Sequence, residues 1–253
     1  MSSAVVIGAS GSIGQALAEA LRDEGAFDAV HGFSRSADGD RHLDLEDEAS
    51  IAAAATTVGS PTLVIVATGL LHADGKGPEK AMRDLDPAWM ARNFAINAIG
   101  PALVAKHFLP TMPKAGRIVF AVLSARVGSI GDNKLGGWYG YRASKAALNQ
   151  LVRTIAIEDK RRNSSGIVVG LHPGTVDTGL SQPFQGNVTP GTLFKPDRAA
   201  VQLLDVIDGL RAPDSGKLFA PDRAAVQLLD VIDGLKAPDS GRLFAWDGAE
   251  IGP

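Results

Sequence analysis

The chain has 253 residues, of which 45% are hydrophobic, and its formal net charge is −3. This length and composition allow one full hydrophobic core, so we predict a single domain over residues 1–253. The sequence contains no cysteine, which excludes disulfides, thiolate catalysis and cysteine-ligated metals. Basic and acidic residues are interspersed and the five histidines are scattered, so we expect neither a nucleic-acid partner nor a metal site.

The N-terminus and the apolar runs bear on where the protein resides. The opening MSSAVVIGAS has no basic region and only a short apolar run, unlike a signal peptide. No apolar stretch of the sequence is long enough to span a bilayer. We therefore expect a cytoplasmic protein that has no membrane partner.

The first structural signal is a strand, a glycine turn and a helix in succession. Residues 4–7 form a short apolar run, Gly8, Gly11 and Gly14 follow, and residues 15–25 have helical periodicity. Glycines let a backbone approach a pyrophosphate, and the N-terminus of a helix attracts its negative charge. A plain turn is the alternative, but the position after the first strand favours a dinucleotide site.

The end of the second predicted strand, residues 29–33, bears on which dinucleotide is bound. An acidic side chain at this point accepts hydrogen bonds from the ribose 2′-hydroxyl of NAD, whereas an arginine pairs with the 2′-phosphate of NADP. Here Arg35 follows the strand, which favours NADP and leaves NAD possible. The alternative is an exposed loop arginine, because Asp38 and Asp40 lie close to it in the sequence.

Further apolar runs alternate with helical patterns along the chain. Residues 42–45 are predicted as a short third strand, and longer buried strands are predicted at 61–68, 116–123 and 166–172. Continuous apolar strands separated by helices indicate a parallel sheet covered on both faces. We therefore predict an α/β fold with a Rossmann-type, doubly wound parallel sheet flanked by helices. The glycine- and proline-rich segment 173–196 is expected to form a mobile lid.

A proline interrupts the long helix that is predicted between residues 87 and 108. Pro101 has no N–H group, so the carbonyl of Asn97 loses its helical partner and the helix should kink there. The freed carbonyl is available to hold a water. The alternative is a tolerated kink with Asn97 exposed to solvent.

The sequence YRASK at residues 141–145 begins a helical run. Tyr141 and Lys145 are four residues apart, so they share one helix face. A nearby cation favours the phenolate, and a tyrosine whose pKa is lowered in this way acts as a general acid or base near neutral pH. Such a pair alone is common on ordinary helices. Ser124 strengthens the interpretation, because it lies 17 residues earlier, at the carboxyl end of a central strand where ligands of open α/β sheets bind.

Taken in chain order, five motifs resemble the short-chain dehydrogenase/reductase family. They are the GxxGxxG turn, Asn97, Ser124, the YxASK motif and PGTVDT at residues 173–178. Residues 123–158 are similar to the carbonyl-reductase branch that includes Sniffer and C-signalling factor. This resemblance implies hydride transfer between a nicotinamide and a small carbonyl or alcohol substrate.

The family resemblance implies a role for each matching residue. Tyr141 would exchange a proton with the substrate oxygen, while Lys145 would lower the pKa of Tyr141 and bind the nicotinamide ribose. Ser124 would orient the carbonyl, and Asn97 would hold a water that joins Lys145 to a proton relay. Asp44 and Leu45 would contact the adenine. The full set of residues expected to bind the cofactor is Gly8, Ser10, Ser12, Ile13, Gly14, Ser34, Arg35, Asp44, Leu45, Ala67, Thr68, Gly69, Tyr141, Lys145, Pro173, Gly174 and Thr178.

Three departures from the family pattern affect these expectations. Ser12 stands where the family has the second glycine of its turn, so the pyrophosphate geometry there is expected to differ. Residues 66–69, Val-Ala-Thr-Gly, replace an Asn-Asn-Ala-Gly sequence whose side chains brace the sheet. Ser124 is followed by Ala125, although the second residue of this pair is often the catalytic serine. Ser124 is therefore one residue out of register, and Ser129 is the alternative.

The last feature of the sequence is a tandem repeat. Residues 196–220 recur at 221–245 with only two differences, both exchanges of arginine and lysine. Two copies at the end of an otherwise complete fold indicate a duplicated helix–strand unit and not a solenoid. Both predicted helices carry the same apolar stripe and require the same groove. We expect the second copy to occupy it, because Pro221 cuts the first copy's strand short.

Two functions follow from these patterns. The leading hypothesis is an NADP-preferring oxidoreductase that acts on a small-molecule carbonyl or alcohol. The family resemblance implies that this enzyme is a homodimer or homotetramer. The alternative is a cofactor-binding signalling or scaffold protein on the same fold with little turnover. The absence of the second serine favours this alternative. The sequence does not name the substrate.

Overall fold

The computed structural model describes residues 2–187, 193–219, 243–244 and 250–251. Its centre is a six-stranded parallel sheet made of β1 at Ser3–Ile7, β2 at Ala29–Phe33, β3 at Leu63–Val66, β4 at Ile118–Leu123, β5 at Gly166–Leu171 and β8 at Leu218–Phe219. The order of the strands in the sheet is β2-β1-β3-β4-β5-β8. Every residue of β1, β3, β4 and β5 is buried, as continuous apolar runs in a two-sided sheet require.

Helices cover both faces of this sheet and form two hydrophobic cores. Successive residues of a strand point to opposite faces, so Phe120 and Val122 enter one core while Ala121 and Leu123 enter the other. The predicted doubly wound α/β fold is therefore confirmed. The core with Phe120 includes α2 at Glu48–Thr57, α4 at Gly100–Phe108 and α5 at Tyr139–Arg162, and the other includes α1 at Ser12–Glu24 and α6 at Pro196–Gly209. No helix in the described ranges is both long and apolar enough to cross a membrane.

The strand order reverses at β1. This strand pairs with β2 on one side and with β3 on the other, so the connections that leave the two strands diverge at their carboxyl ends. The crevice that results is where open α/β sheets bind ligands. The glycine turn after β1 and residues 67–69 after β3 both lie at this point.

The predicted long helix is interrupted as the proline indicates. It consists of α3 at Pro87–Phe94, a π-helical turn at Ala95–Ile99, and α4. In the π turn the N–H of Gly100 donates to the carbonyl of Ala95, five residues earlier, and Pro101 donates nothing. Asn97 is 0% exposed, so the alternative of an exposed Asn97 is wrong.

The predicted third strand at residues 42–45 is wrong. Only an isolated bridge joins His42 to Ser34. Asp44 is held by local hydrogen bonds instead, because its N–H donates to the Ser50 hydroxyl at 2.9 Å and its carboxylate accepts from the Glu46 N–H at 3.0 Å. Such side-chain to backbone bonds compete with strand pairing and turn the chain into α2.

Two short strand pairs complete the description. The segment predicted as a lid contains β6 at Thr175–Val176, which pairs in parallel with β7 at Leu193–Phe194, and a 3₁₀ turn at Gln182–Asn187. Near the C-terminus, β9 at Leu243–Phe244 pairs with β10 at Glu250–Ile251 in antiparallel fashion.

The prediction that the second repeat copy fills the groove is wrong. The first copy does so: it forms α6 and β8, and its apolar stripe, which includes Ala200, Leu203 and Ile207, is at most 5% exposed. The first copy follows β7 with only Lys195 between them, and β8 needs only two residues, so Pro221 does not hinder it. Residues 220–242, which include most of the second copy, lie outside the described residues.

Candidate active site

The glycine turn brings the carboxyl ends of β1 and β3 together. Gly8 has a φ of +90°, which residues with side chains rarely adopt, and a Cβ there would lie 2.8 Å from the carbonyl oxygen of Ala67. A Cβ on Gly14 would overlap the carbonyl oxygen of Gly8. Steric contact therefore requires both glycines, as in a turn that lets α1 pack close to the sheet.

The N-terminus of α1 suits an anionic group. No side chain caps its first N–H groups, and its first turn contains no acidic residue. Ser12, which replaces a family glycine, is exposed. Near Gly8, the buried hydroxyl of Thr68 has no hydrogen-bond partner among the described residues. Free N–H groups, a close backbone approach and an unpaired hydroxyl fit the pyrophosphate of a dinucleotide.

Asn97 connects the π turn to two neighbouring segments. Its side-chain oxygen accepts from the Leu70 N–H at 2.7 Å, and its amide nitrogen donates to the Leu70 carbonyl at 2.8 Å. The same nitrogen donates to the Ser144 hydroxyl at 3.1 Å, which in turn donates to the Tyr141 carbonyl at 2.9 Å. Asn97 thus anchors the loop after β3 and the first turn of α5 through its side chain.

Lys145 lies where these segments meet. Its ammonium donates to the Leu123 carbonyl at 2.9 Å. A Cβ built on Gly69 would lie 3.9 Å from the Lys145 ammonium and 3.7 Å from the Asn97 side-chain oxygen. Three residues predicted from separate motifs therefore converge at the carboxyl edge, between β3 and β4.

Burial dominates the electrostatics of Tyr141 and Lys145. It raises the pKa of Tyr141 to about 12 and lowers the pKa of Lys145 to about 8, since burial disfavours the charged form of each group. The Lys145 ammonium lies 6.0 Å from the centre of the Tyr141 ring. In the protein alone, burial therefore decides the pKa of Tyr141, and the lowering by Lys145 that the family resemblance implies stays a prediction.

Ser124 lies at the end of β4 and is 5% exposed. Its hydroxyl donates to the side-chain oxygen of Asn149 at 2.6 Å. A hydroxyl has one proton to donate, so this bond occupies the donor that a substrate carbonyl would need. Ala125 has no donor in its side chain, and the Ser129 hydroxyl is 3.4 Å from the N–H of Asp132.

A cavity of about 210 Å³ lies beside Ser124 and Ser129. His172 also lines it, and the buried Nδ1 of this residue has no partner among the described residues. Burial, followed by the charges of Arg126 and Lys145, lowers the pKa of His172 to about 4. The imidazole is therefore neutral at physiological pH. Sequence reasoning did not select His172.

Arg35 is exposed after β2 and is free to meet a ligand. Neither Asp38 nor Asp40 forms an ion pair with it in the described ranges. The neighbouring Arg41 instead contacts His31 at 3.0 Å and lies 5.7 Å from the centre of the Phe33 ring. Arg35 is therefore the arginine of this loop that local contacts leave available.

The remaining predicted cofactor residues follow the carboxyl ends of β1, β2 and β5, except Leu45, which is buried in the core that contains Phe120. Gly174 has a φ of +78°, and a Cβ there would lie 3.0 Å from the Phe194 ring. Thr178 bonds locally to Ser181. The others in this group are Ser10, Ile13, Ser34, Leu45 and Pro173. No group of acidic and histidine side chains in the described part of the chain is arranged to hold a metal.

Aromatic side chains surround the start of α5. The Trp138 ring lies 6.2 Å from the Tyr141 ring and 5.0 Å from the Phe184 ring, both edge-on. His72 lies 6.0 Å from Phe184, and its Nε2 is 2.9 Å from the Gly179 carbonyl. The loop after β3, the start of α5 and the predicted lid therefore touch one another next to Tyr141.

Comparison with known proteins decides the family. A family described as enoyl-(acyl carrier protein) reductase matches residues 8–191, which is most of the chain. The protein belongs to the short-chain dehydrogenase/reductase family. It is therefore an oxidoreductase, as the motifs imply.

Individual relatives agree with this assignment. The chain is 40% identical to C-signal of Myxococcus xanthus over 136 residues, which cover 54% of this chain and 76% of that protein. An NADPH-bound carbonyl reductase from chicken fatty liver superposes with a TM-score of 0.73 at 25% identity, over 86% of this chain and 91% of that one. The carbonyl reductase Sniffer of D. melanogaster shares the fold, with a TM-score of 0.71 at 20% identity over 88% and 97% of the two chains.

Proposed function

We propose that the protein is an NADP-preferring oxidoreductase that transfers hydride between the nicotinamide and a small carbonyl or alcohol, with Tyr141 as general acid and base. The convergence of Gly69 and Asn97 on Lys145, which lies one turn after Tyr141 on α5, supports this proposal most directly. The NADPH-bound carbonyl reductase to which the chain is similar supports the choice of cofactor and substrate class. A homodimer or homotetramer is proposed on the family resemblance, and sedimentation velocity tests it.

The bound cofactor would supply the hydride. The turn from Gly8 to Gly14 and the N-terminus of α1 would hold its pyrophosphate, and Lys145 would bind the nicotinamide ribose. At neutral pH Tyr141 is protonated, since its pKa is about 12, so its hydroxyl would give a proton to the carbonyl oxygen. Asn97 would keep the loop after β3 and the first turn of α5 in register during this step.

The decisive experiment is an NADPH-oxidation screen of the purified protein against aldehydes, ketones and quinones. We expect carbonyl-dependent oxidation of NADPH with at least one class. Cofactor binding measured in parallel separates two negative results. Binding without turnover on any carbonyl contradicts the reductase, and absence of binding contradicts the whole assignment.

A signalling or scaffold protein with little turnover is the second candidate function. Two observations favour it: the relative C-signal carries a signalling name, and the Ser124 hydroxyl donates its one proton to Asn149. Tight cofactor binding with no turnover in the same screen would support this function.

Arg35 is expected to set the preference for NADPH over NADH. Its guanidinium would pair with the 2′-phosphate, and a hydrogen bond to a charged group contributes about 1.5–3 kcal/mol. Replacing Arg35 by Ala should therefore weaken NADPH binding about 10- to 100-fold and leave NADH binding unchanged. Fluorescence titration of both cofactors measures this. Arg83→Ala is the matched control, because Arg83 is an exposed arginine in the turn of residues 82–84. If Arg35→Ala keeps the wild-type preference for NADPH over NADH, Arg35 does not have this role.

Ser124 is expected to contribute to turnover even though it bonds to Asn149. Ser124→Ala should lower kcat by about 10- to 1000-fold, the range for loss of one positioned donor. Steady-state kinetics of Ser124→Ala and Ser129→Ala with an active carbonyl decide between the two serines. If Ser124→Ala is unaffected and Ser129→Ala is severely impaired, the role belongs to Ser129.

A further inference from the structure

A buried carboxylate lies beneath the start of α5. Glu79, in the loop after β3, is 4% exposed. Glutamate is rarely buried to this extent unless it is paired. In the described ranges Glu79 forms no ion pair, so the reason for its burial must lie in its hydrogen bonds.

Glu79 holds two of the three residues that precede Tyr141. One carboxylate oxygen accepts from the N–H of Gly140 at 3.1 Å. The backbone carbonyl of Glu79 accepts from the N–H of Trp138 at 2.5 Å. The first turn of α5 is thus attached to the loop after β3 at two points, on either side of Tyr139.

The backbone before α5 has an uncommon conformation. Gly136, Gly137 and Trp138 are consecutive and have φ values of 65°, 64° and 54°. Glycine adopts this left-handed region readily, but for tryptophan it is unfavourable and persists only where neighbouring contacts impose it. The bond from Trp138 to the Glu79 carbonyl and the edge-on contact of its ring with Tyr141 are the contacts that impose it.

Gly140 is fitted closely between two polar groups. A Cβ there would lie 2.9 Å from the second carboxylate oxygen of Glu79 and 3.5 Å from the side-chain amide of Asn93. Asn93 in turn accepts from the amide of Asn97 at 3.3 Å. The backbone beside Tyr141 is therefore enclosed from the loop side by Glu79 and from the α3 side by the Asn97 network.

We infer that Glu79 is a positioning residue for Tyr141: it fixes the left-handed turn and the first helical turn so that the phenol points at the reacting oxygen. Its negative charge also lies at the N-terminus of a 24-residue helix, where the helix dipole stabilises an anion. The second carboxylate oxygen is buried and has no partner among the described residues. A buried polar atom without a partner costs stability, so a stabilising role alone does not account for this side chain. This inference rests on the proposed catalytic role of Tyr141.

Kinetics of Glu79 variants test the inference. Glu79→Ala removes the bond to Gly140, and a displacement of about 1 Å in a catalytic group costs about 100-fold. We therefore expect kcat to fall about 100-fold while the KM for NADPH stays unchanged. Glu79→Gln keeps an acceptor for the Gly140 N–H and should restore most of the activity. Asp84→Ala is the control, because Asp84 bonds to N–H groups of its own loop and not to α5. Equal kcat in Glu79→Ala and wild type overturns the inference.

A second measurement does not depend on activity. The chain has two tyrosines, so protein labelled with 3-fluorotyrosine gives two ¹⁹F resonances, and Tyr141→Phe assigns them. We expect the Tyr141 resonance to shift or broaden in Glu79→Ala and to return in Glu79→Gln. An unchanged resonance contradicts positioning by Glu79 even if no carbonyl is turned over. A shifted resonance in a protein whose wild type and Tyr141→Phe are equally active leaves positioning intact and refutes the proposed catalysis.

Discussion

Replacing Tyr141 by Phe should abolish most of the carbonyl-dependent NADPH oxidation, with kcat lower by about 100- to 10,000-fold, the usual contribution of general acid–base catalysis. The substitution removes one hydroxyl. The aromatic ring, which packs edge-on against Trp138, is retained, so the fold and cofactor binding should remain. Steady-state kinetics, with cofactor titration of the same samples, measure both quantities.

Tyr139→Phe is the matched control for this substitution. Tyr139 is the other tyrosine of the chain and also lies in the first turn of α5, but no motif assigns it a role. We expect it to retain wild-type kcat. Equal rates for wild type and Tyr141→Phe with every active carbonyl would show that the proton comes from another group.

The pKa of Tyr141 also gives the two reaction directions different pH dependences. With a pKa of about 12, the phenol is protonated throughout the neutral range and is ready to donate to a carbonyl. Alcohol oxidation needs the phenolate, whose population rises about tenfold per pH unit below the pKa. Oxidation should therefore accelerate toward alkaline pH in wild type and lose this dependence in Tyr141→Phe.

An aspartate on the apolar stripe of α6 should be tolerated when only one repeat copy carries it. The same substitution in both copies should unfold the protein. Leu203 is 1% exposed between α6 and the sheet, so an aspartate there should cost more than about 3 kcal/mol in a chain without a repeat. The second copy has the same apolar side chains in the same order, including Leu228. Using it in place of the first copy lengthens the connection between β5 and α6, residues 172–195, by 25 residues. This is about one doubling of its length, which costs about 0.6 kcal/mol in loop closure.

Thermal unfolding followed by circular dichroism tests this expectation. Leu203→Asp and Leu228→Asp should each melt within a few degrees of wild type, and the double variant should lose its cooperative transition. Leu17→Asp is the control, because Leu17 is fully buried in the same core and has no second copy. If Leu203→Asp unfolds the protein as severely as Leu17→Asp does, the second copy cannot replace the first.

Deletion of one repeat copy does not show whether the second copy can replace the first. Removing residues 196–220 or removing 221–245 leaves nearly the same sequence, since the two products differ only in the exchange of Arg211 for lysine and Lys217 for arginine. Both deletions should therefore fold and keep activity equally well. The two point substitutions distinguish the copies because the full chain is retained.

Patterns that depend on the nearest neighbours in the chain predicted the fold well. The apolar runs placed β1, β3, β4 and β5 within two residues, because a strand buried on both faces must be apolar throughout. Residues 42–45 were mispredicted because the bonds of Asp44 to Ser50 and Glu46 outweigh a weak apolar pattern. The choice between two repeat copies with the same apolar stripe depends on how each copy is connected to the rest of the chain, which the stripe does not encode.

The candidate site was predictable only in part. Motif spacing brought Asn97, Tyr141 and Lys145 together because each lies at a fixed place on a helix or turn. Asn149 was missed, although it continues the spacing of four from Tyr141 and Lys145 along one face of α5. Glu79 had no such signal, because its partners are backbone N–H groups 59 and 61 residues away. The sign of the Tyr141 pKa shift depends on burial, which sequence spacing does not measure.

Trp138, whose backbone is in the left-handed region, is a natural fluorescent reporter beside Tyr141. Its indole is partly exposed and touches both Tyr141 and Phe184, whereas Trp89 is 5% exposed in α3. Indole emission responds to the solvent and to the rings around it, so movement of the segment that carries Phe184 alters the signal from Trp138 while Trp89 stays constant. With Trp89 and Trp246 replaced by Phe, ligand entry can be followed by fluorescence without any added dye.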